Sequence, residues 1–594
     1  MKVSERIERL REAMRKSEID LYIIPSADYH QSEYVGDYFK FRQYMSGFTG
    51  SAGTLVVTMD RAGLWTDGRY FIQAEKQLEG SGIELFRMGE PGVDTIEAFI
   101  EKELPRDGVL GFDGRTVGNE EGSLYEKSAR IKNGSVVFQY DLSEQVWRER
   151  PPFPFGKVFS LDLKHTGEST PSKLARVRGK MKEYGADLHI LSSLDDIAWL
   201  LNIRGDDVAF CPLMLAYAVV LEDSVQLFSD RAKFPDEVLR RFEAERIHIR
   251  PYEEIWEYIA AVKEASVLLD PERISYALYH GLSESCRIIE AENPEILMKC
   301  IKNETEIQNI KEAHRKDAVA HTRFMYWLKN KIGKLPISEI SASRKLEELR
   351  REQEGFLGPS FEPISAAGEH GAIVHYSATE ESDTELKEGR LFLTDTGGHY
   401  LEGSTDITRT VALGEVSLQE KEDFTLVARA MLRLADTVFL HGCSGVSLDC
   451  IAREVFWKEK RNFNHGTGHG VGYLLNIHEP PINFRWREGK KPSQVFEENM
   501  VITDEPGLYI AGSHGIRLEN ELLVQKDEKN EYGQFMRFEI LTFVPIDLDA
   551  LLPEKMTEEE RGLLNDYHRS VYEKVSPYLP QEEREWLKKY TRPV

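Results

Sequence analysis

The chain has 594 residues, and this length predicts about three or four domains rather than a single hydrophobic core. Its 101 acidic residues outnumber its 76 basic residues and give a formal charge of -25. This balance argues against a nucleic-acid partner, because phosphate binding needs a basic surface. It fits a cationic ligand such as a peptide amino terminus.

The first residues, M-K-V-S-E-R-I-E-R-L-R-E-A-M, predict a charged amphipathic helix and not the apolar core of a signal peptide. No segment approaches the roughly 18 consecutive apolar residues of a membrane span. The five cysteines are an odd number without C-x-x-C spacing, which argues against a disulfide framework and a thiolate zinc site. We therefore expect an intracellular, cytoplasmic protein with no membrane partner.

Two segments of the chain resemble each other. The first contains R-I-E-R-L-R-E-A-M, I-D-L-Y-I-I-P and S-A-G-T-L-V-V-T, and the second contains S-K-L-A-R-V-R-G-K-M, A-D-L-H-I-L-S and L-A-Y-A-V-V-L. Each predicts an amphipathic helix, a buried strand, another helix and hairpin strands. A chance likeness is the alternative, but the shared order favours two related α/β domains, residues 1–155 and 156–302. The prolines of P-P-F-P-F-G at 151–156 mark their junction.

A third and larger domain is predicted for residues 303–594. The run N-E-T-E-I-Q-N-I-K-E-A-H predicts a long helix, with Asn303 as its N-cap and acidic residues in its first turn. The tail from Pro553 is charged, helical in pattern and rich in aromatic residues. We expect it to pack on the third domain or on another subunit.

Acidic residues occur within two predicted hairpins of the third domain. Asp395 follows the apolar strand L-F-L-T, and Asp406 lies eleven positions later, after a T-G-G turn. Glu505 in V-I-T-D-E-P-G-L-Y and Glu519 in G-I-R-L-E-N lie fourteen positions apart around I-A-G-S-H-G. Buried carboxylates side by side are costly unless a cation neutralises them. Four carboxylates and one imidazole would suit a pair of divalent ions such as Mn, Co or Zn, about 3.5–4 Å apart.

Each acidic residue alone has an ordinary explanation. An aspartate beside Gly-Gly is more often a turn former than a ligand, and Glu519 alone would be an exposed strand residue. Asp504 and Glu521 are close neighbours with no evident role. The metal prediction therefore depends on the joint pattern of two acidic hairpins and a histidine–glycine loop.

That loop reads N-H-G-T-G-H-G-V-G at 464–472 and contains His465 and His469. A dinucleotide loop needs G-x-G-x-x-G directly after a strand, whereas these glycines alternate and follow the polar run K-E-K-R-N-F-N. Phosphate binding is thus disfavoured. We expect the glycines to let a peptide substrate approach the backbone closely.

Together these motifs resemble those of the aminopeptidase P (Xaa-Pro aminopeptidase) family. The residues that carry the resemblance are H-Y-S-A-T, D-T-G-G-H-Y, T-D-I-T-R-T, H-G-T-G-H-G-V-G, H-E-P-P, D-E-P-G-L-Y and G-I-R-L-E-N. H-Q-S-E-Y, S-G-F-T-G-S-A-G-T and L-W-T-D-G-R-Y-F resemble the first domain of the long, three-domain cytosolic type. The resemblance implies an α/β (α+β) protein with two creatinase N-terminal-like domains before a pita-bread domain that binds two metals. It also implies a homodimer.

The resemblance also implies roles for particular residues. Asp395, Asp406, His469, Glu505 and Glu519 would bind the metals, with Asp406 and Glu519 as bridges. His375, His465 and His478 would line the substrate site, steady the scissile carbonyl and move protons. Arg517 would pair with Asp395 behind the metals. His399 departs from the family's usual residue, and we interpret it as a turn residue and not a ligand.

The implied reaction removes the first residue of peptides that have proline second. A hydroxide bridging two metals, most simply Mn²⁺ with Co²⁺ or Zn²⁺ as alternatives, would attack the first carbonyl, while Glu505 transfers the proton. One metal and His478 would stabilise the oxyanion, and the α-amine of the substrate would bind near Asp395. Selectivity for proline would come from pocket shape, because a Xaa-Pro bond has no N–H.

Two other functions share part of this pattern. A prolidase, which cleaves Xaa-Pro dipeptides, would use the same five ligands but would generally lack the duplicated front domains. A non-catalytic relative that binds peptides or acts as a chaperone would typically have lost ligands, whereas all five positions are filled here.

Overall fold

A computed structural model describes residues 1–489 and 491–594. The chain forms two compact units, the first made of Met1–Asp162 and Glu168–Glu295, the second of Leu163–Gly167 and Ile296–Val594. The domain limits at residues 155 and 302 stay a prediction. Within the described residues, no helix is both long and apolar enough to cross a membrane.

The first unit begins with a six-stranded mixed sheet and its helices. The strands are β1 (Leu21–Pro25), β2 (Thr54–Thr58), β3 (Ala62–Thr66), β4 (Glu84–Arg87), β5 (Val109–Phe112) and β6 (Ser135–Val137). The helices are α1 (Val3–Lys16), α2 (Phe41–Ser46), α3 (Phe71–Gln77), α4 (Ile96–Glu103), α5 (Asn119–Ile131) and α6 (Ser143–Val146). The strand order is β4-β3-β2-β1-β5-β6.

The next part of the chain builds a second six-stranded sheet. Its strands and those just before it are β7 (Phe159–Ser160), β8 (Leu188–Leu191), β9 (Ile203–Arg204), β10 (Tyr217–Leu221), β11 (Val225–Phe228), β12 (Ile247–Arg250), β13 (Ser266–Leu269) and β14 (Arg287–Glu290). The helices are α7 (Leu163–Thr166), α8 (Thr170–Tyr184), α9 (Leu194–Leu200), α10 (Asp236–Ala244), α11 (Glu254–Ala261), α12 (Tyr276–His280) and α13 (Pro294–Cys300).

The two sheets have the same topology, which confirms the predicted repeat. The second has the order β12-β11-β10-β8-β13-β14. In both, the first central strand is antiparallel to the hairpin on one side and parallel to the strand on the other. Both central strands, β1 and β8, are buried along their whole length, as an apolar run covered on both faces requires.

The second unit opens with α14 (Glu304–Lys331) and α15 (Glu339–Arg351) and continues with mixed strands and helices. The strands are β15 (Phe356–Pro359), β16 (Ile364–Ala367), β17 (Arg390–Thr396), β18 (Gly398–Tyr400), β19 (Gly403–Ser404), β20 (Ile407–Leu413), β21 (Val438–Leu440), β22 (Gly468–Val471), β23 (His478–Phe484), β24 (Val501–Asp504), β25 (Gly507–Ile510), β26 (His514–Arg517), β27 (Asn520–Asn530) and β28 (Gly533–Ile540). The remaining helices are α16 (Leu418–Ala435), α17 (Gly445–Lys458), α18 (Glu558–Val575) and α19 (Gln581–Tyr590).

Helix α14 starts where the sequence predicts. The Asn303 side chain accepts the N–H of Glu306, whose carboxylate accepts the N–H of Asn303 in return. The helix buries an apolar face, but His314, Asp317 and His321 are also fully buried on it. These polar residues at helical spacing face inward, and two of them reach the segments that carry the acidic site residues.

The C-terminal tail packs on the second unit, which decides between the two predicted alternatives. Leu564, Tyr567 and Val571 of α18 belong to the same core as Phe424 of α16. Burying large apolar side chains of this kind contributes about 1.5–3 kcal/mol each. The tail therefore stabilises the unit that contains the acidic hairpins.

Candidate metal centre

The first acidic hairpin is formed by β17 and β20. Asp395 lies within β17, where its register partner on β20 is Thr408. Asp406 lies one residue before β20, because two short strands, β18 and β19, fold between the pair. The two carboxylates therefore reach the same end of this ladder, as predicted, although the loop between them is more structured than a simple turn.

The second acidic pair comes from β24 and β27, which are antiparallel with Asp504 opposite Asn520. Glu505 lies one residue after β24 and Glu519 one residue before β27, and the separate hairpin β25–β26 lies between them. Asp406, Glu505 and Glu519 thus lie just outside the ends of strands, whereas Asp395 lies within β17. Breaks in the ladders turn these side chains toward a common point.

His469 comes from β22, which is antiparallel to β24. Its Nε2 lies 3.5 Å from Asp406 Oδ2 and 3.7 Å from Glu505 Oε1. Its Nδ1 lies 2.9 Å from the carbonyl oxygen of Gly470, which can only accept a hydrogen bond. Nδ1 therefore carries the proton in the neutral ring, which leaves the lone pair of Nε2 directed at the carboxylates.

Ligand atoms of Asp406, His469 and Glu519 lie within 4.8 Å of one another. Burial, followed by repulsion from Asp395, raises the pKa of Asp406 well above its usual value. Burial and the charges of Asp406, Asp395 and Glu505 do the same for the pKa of Glu519. Burial raises the pKa of Glu505 to about 7, although His469 and Arg517 oppose the shift. A bound cation would stabilise the ionised carboxylates and so offset both their burial and their mutual repulsion.

Asp395 is held by Arg517, whose Nη2 donates to Asp395 Oδ2 at 2.5 Å. The other oxygen, Oδ1, is buried and accepts no hydrogen bond from any described residue. Buried carboxylate oxygens without donors are rare in folded proteins. The arrangement leaves this oxygen available to a cation.

Tyr509 connects Arg517 to His465, a role that the sequence did not indicate. Arg517 Nη1 donates to the Tyr509 hydroxyl at 2.8 Å, and that hydroxyl lies 2.8 Å from His465 Nε2. Burial raises the pKa of Tyr509 to about 12, so the phenol keeps its proton and can donate to His465. His465 Nδ1 donates in turn to the carbonyl of Gly466 at 2.7 Å.

The remaining histidines of this region, His375, His399 and His478, differ in what they contact. The His478 and His469 rings meet edge to face with their centroids 4.2 Å apart, and the charge of His478 opposes the rise in the pKa of Asp406. His375 follows Val374, whose carbonyl accepts a hydrogen bond from Arg517 Nη1 at 3.4 Å. His399 lies in β18 and bonds Ser404, so its interpretation as a turn residue was wrong.

The glycines of the histidine–glycine loop have a structural role that differs from the expected one. A Cβ on Gly468 would lie 1.9 Å from the carbonyl oxygen of Thr503, and one on Gly470 would lie 2.3 Å from that of Glu479. These glycines allow β22 to pack closely against its neighbouring main chain. That they also let a substrate approach the backbone stays a prediction.

A layer of buried polar and charged residues from α14, α15 and β27 holds the main chain around the centre. Glu521 Oε1 accepts the N–H of Asp406 at 2.7 Å, and its other oxygen lies 3.1 Å from His314 Nε2. Arg350 donates to Asp317 at 2.6 Å and to the carbonyls of Thr396 and Gly397. Glu521, which had no evident role in the sequence, thus fixes the peptide group of a predicted ligand.

Comparisons with known proteins agree with this architecture. The sequence model of metallopeptidase family M24 matches residues 308–526, and that of the C-terminal region of peptidase M24 matches 534–594. Two models of the creatinase/prolidase N-terminal domain match residues 6–139 and 149–306. Aminopeptidase P2 of Arabidopsis thaliana is 38% identical over 97% of this chain and 86% of its own length.

Xaa-Pro aminopeptidase 1 of Dictyostelium discoideum is 37% identical over 100% of this chain and 97% of its own. The chain belongs to the aminopeptidase P family. The crystal structure of X-prolyl aminopeptidase from Caenorhabditis elegans, a cytosolic enzyme with a di-nuclear active site, covers 100% of both chains with a TM-score of 0.94 and 32% identity. The fold expected for the family is confirmed: two creatinase N-terminal domains precede a pita-bread domain.

Proposed function

We propose that this chain is a metal-dependent Xaa-Pro aminopeptidase, which removes the N-terminal residue from peptides with proline in the second position. The observation that carries this function is the group of four carboxylates and one imidazole, three of them buried and two half-buried, in an aminopeptidase P relative matched over its whole length. The alternative of a peptide-binding protein without activity is disfavoured because all five donor positions are retained.

The five donors fit a pair of divalent cations. We propose Asp395, Asp406, His469, Glu505 and Glu519 as the ligands, because the raised carboxyl pKa values and the unpaired Asp395 oxygen both call for positive charge. Carboxylate oxygens with one imidazole suit Mn²⁺, and also Co²⁺ or Zn²⁺. We propose Mn²⁺ as the native ion.

Metal ions bound there would activate a water molecule as the nucleophile at neutral pH and polarise the scissile carbonyl. We propose that Glu505 accepts the proton of that water and passes it to the proline nitrogen. His478, whose ring lies beside His469, would donate a hydrogen bond to the developing oxyanion. His375 would line the substrate site, and His465 would steady it through Tyr509.

The first bond is selected by charge. The α-amine of a peptide would bind near Asp395, whose orientation is fixed by the buried guanidinium of Arg517. The second residue is selected by shape, because the proline nitrogen offers no hydrogen for recognition. The acidic balance of the chain favours the approach of a cationic amino terminus.

Prolidase activity is the second candidate, because it would use the same ligands. Turnover of the tripeptide Ala-Pro-Ala and the dipeptide Ala-Pro by the purified enzyme, alongside elemental analysis, separates the two. We expect cleavage of the tripeptide after alanine and two divalent ions per chain. Cleavage of the dipeptide alone would establish a prolidase, and full activity of a metal-free preparation would contradict the metal mechanism.

We further propose a cytoplasmic homodimer. The cytoplasm suits a chain whose five cysteines are all free thiols, and it is the compartment of the C. elegans relative. The homodimer rests on the resemblance to the long family type. Sedimentation velocity tests it, and a single species of 68.2 kDa would contradict it.

A further inference from the structure

His375 lies between two anchored neighbours. On one side, the carbonyl of Val374 accepts a hydrogen bond from Arg517 Nη1 at 3.4 Å. On the other side, the Tyr376 ring is buried with Ile364, Ala366 and Leu393, which are residues of β16 and β17. The main chain at His375 is therefore fixed from both directions, although it belongs to no helix or strand.

The second anchor depends on one buried carboxylate, that of Glu339. Glu339 is the first residue of α15 and has no exposed surface. Its Oε2 accepts the Tyr376 hydroxyl at 2.9 Å and the N–H of Thr384 at 3.2 Å. Its Oε1 accepts the N–H of Ala367 at 2.7 Å and the Nδ1–H of His370 at 2.8 Å.

These four donors all belong to one segment, residues 367–384, which contains His375. Between β16 and β17 the described chain has only the short 3-10 helix Gly368–Ala372 as regular structure. A carboxylate can accept several hydrogen bonds at once. The Glu339 side chain therefore holds this segment with acceptors that a neighbouring strand would otherwise provide.

Two further features favour this carboxylate at this position. The N-terminus of α15, a helix of 13 residues, carries partial positive charge that stabilises an acidic residue in its first turn. The His370 ring stacks on the Tyr376 ring with centroids 4.4 Å apart and an interplanar angle of 28°. Glu339 thus joins two stacked rings, one of which directly follows His375 in the chain.

We propose that Glu339 is a positioning residue for His375, which acts by holding the segment 367–384 in the conformation that presents this histidine to the substrate. The proposal rests on the proposed function, in which His375 contacts the peptide. Glu339 is not one of the proposed metal ligands. Within the described residues, its carboxylate is held by the four donors named above.

The test compares Glu339→Ala with His375→Ala and with the double variant in the metal-loaded enzyme, using Ala-Pro-Ala. We expect Glu339→Ala to lower kcat about 10- to 100-fold, the scale of a small displacement of a catalytic group, with KM and metal content unchanged. In the His375→Ala background the same replacement should cost nothing further, because residues that act as a unit are not additive. The matched control is Glu348→Gln on the exposed face of α15, where Glu348 pairs only with Lys345 among the described residues and activity should stay the same.

Tyr376→Phe provides a second route if Glu339→Ala does not fold. It removes one donor to the carboxylate and should give a smaller loss of kcat that also disappears in the His375→Ala background. Additive losses would overturn the proposal, as would loss of metal or unchanged kcat in Glu339→Ala. Full activity of His375→Ala would also overturn it, while cleavage of Ala-Pro-Ala would still stand as the test of the function.

Discussion

Buried carboxylates in the second unit are stabilised in two opposite ways. Asp406, Glu505 and Glu519 are surrounded by other acidic groups, and burial together with this crowding raises their pKa values. Asp317 and Glu339 are surrounded by donors. Burial opposes ionisation of Asp317 as well, yet Arg350 and Thr405 hold its pKa below the usual value.

The difference distinguishes the proposed ligands from the carboxylates that support them. A structural carboxylate receives its compensating charge and hydrogen bonds from its own chain. A carboxylate that lacks such partners is stable as an anion only when a cation comes from outside. The crowded group is therefore the expected metal centre, and the donor-rich group is its support.

The largest effects are expected when the proposed metal ligands are replaced. We expect Asp406→Asn and His469→Ala each to lower metal content and to reduce turnover of Ala-Pro-Ala by more than about 100-fold. Loss of a residue that only orients a metal ligand costs up to about 100-fold, and loss of the ligand itself should cost more. Elemental analysis and steady-state kinetics measure the two effects. A variant that keeps both metal and activity would remove that residue from the proposed centre.

Replacing a residue that supports the centre should lower the free energy of unfolding. Replacing Arg350 by alanine leaves Asp317 buried without its main partner, and breaking a buried pair in this way costs about 3–5 kcal/mol. Urea unfolding followed by tryptophan fluorescence measures the change. Arg351→Ala is the control, because this neighbour forms an exposed pair with Glu347 that is worth at most about 1 kcal/mol. Equal losses would contradict the assignment.

Arg517 contacts both the proposed ligand Asp395 and the neighbouring Tyr509, so its replacement should affect both. Arg517→Met should lower kcat/KM about 10- to 100-fold, the range for residues that orient metal ligands, because Asp395 and Tyr509 both lose their donor. Tyr509→Phe removes the hydroxyl that contacts Arg517 and His465 but leaves the bond from Arg517 to Asp395, so it should cost less. An equal loss in the two variants would show that the bond to Asp395 contributes nothing.

The metal-free protein should also show a stability that depends on pH. The pKa of Glu505 is raised from 4.5 to about 7, so between these values the folded chain binds more protons than the unfolded chain. Stability contributed by the protonated carboxyl is then lost as pH rises from 4.5 to 7, by at most about 1.4 kcal/mol per pH unit. Melting temperatures of chelated protein should fall over this range, and saturating Mn²⁺ should abolish the fall. A rise with pH in the chelated protein would contradict the crowding.

Much of this organisation could be predicted from the sequence, because it depends on local patterns. The periodicity of the two front segments was enough for the repeat, and Asn303 marked the start of α14. The acidic hairpins could be located because Asp395 and Glu505 interrupt apolar runs. Local patterns did not reveal that Asp406 and Glu519 lie just outside their strands, since strand ends depend on which ladders form.

The supporting residues could not be predicted, because each acts across a long separation in the chain. Arg350 reaches Asp317 and the carbonyl of Thr396, and Glu521 reaches the N–H of Asp406 across more than a hundred residues. Such partners are brought together only by packing of the whole unit. A polar residue in an apolar run predicts that a partner exists, but it does not say which residue provides it.

The hydrogen bond from His469 Nδ1 to the carbonyl of Gly470 has an evolutionary consequence. The acceptor that selects the ring tautomer is a main-chain atom, so no point mutation can delete it as it could delete an aspartate in the same place. Gly470 itself is confined by the carbonyl of Glu479, where any side chain would collide. The backbone conformation therefore determines the tautomer of the imidazole. Side chains around the loop can change during evolution without changing which ring nitrogen faces the carboxylates.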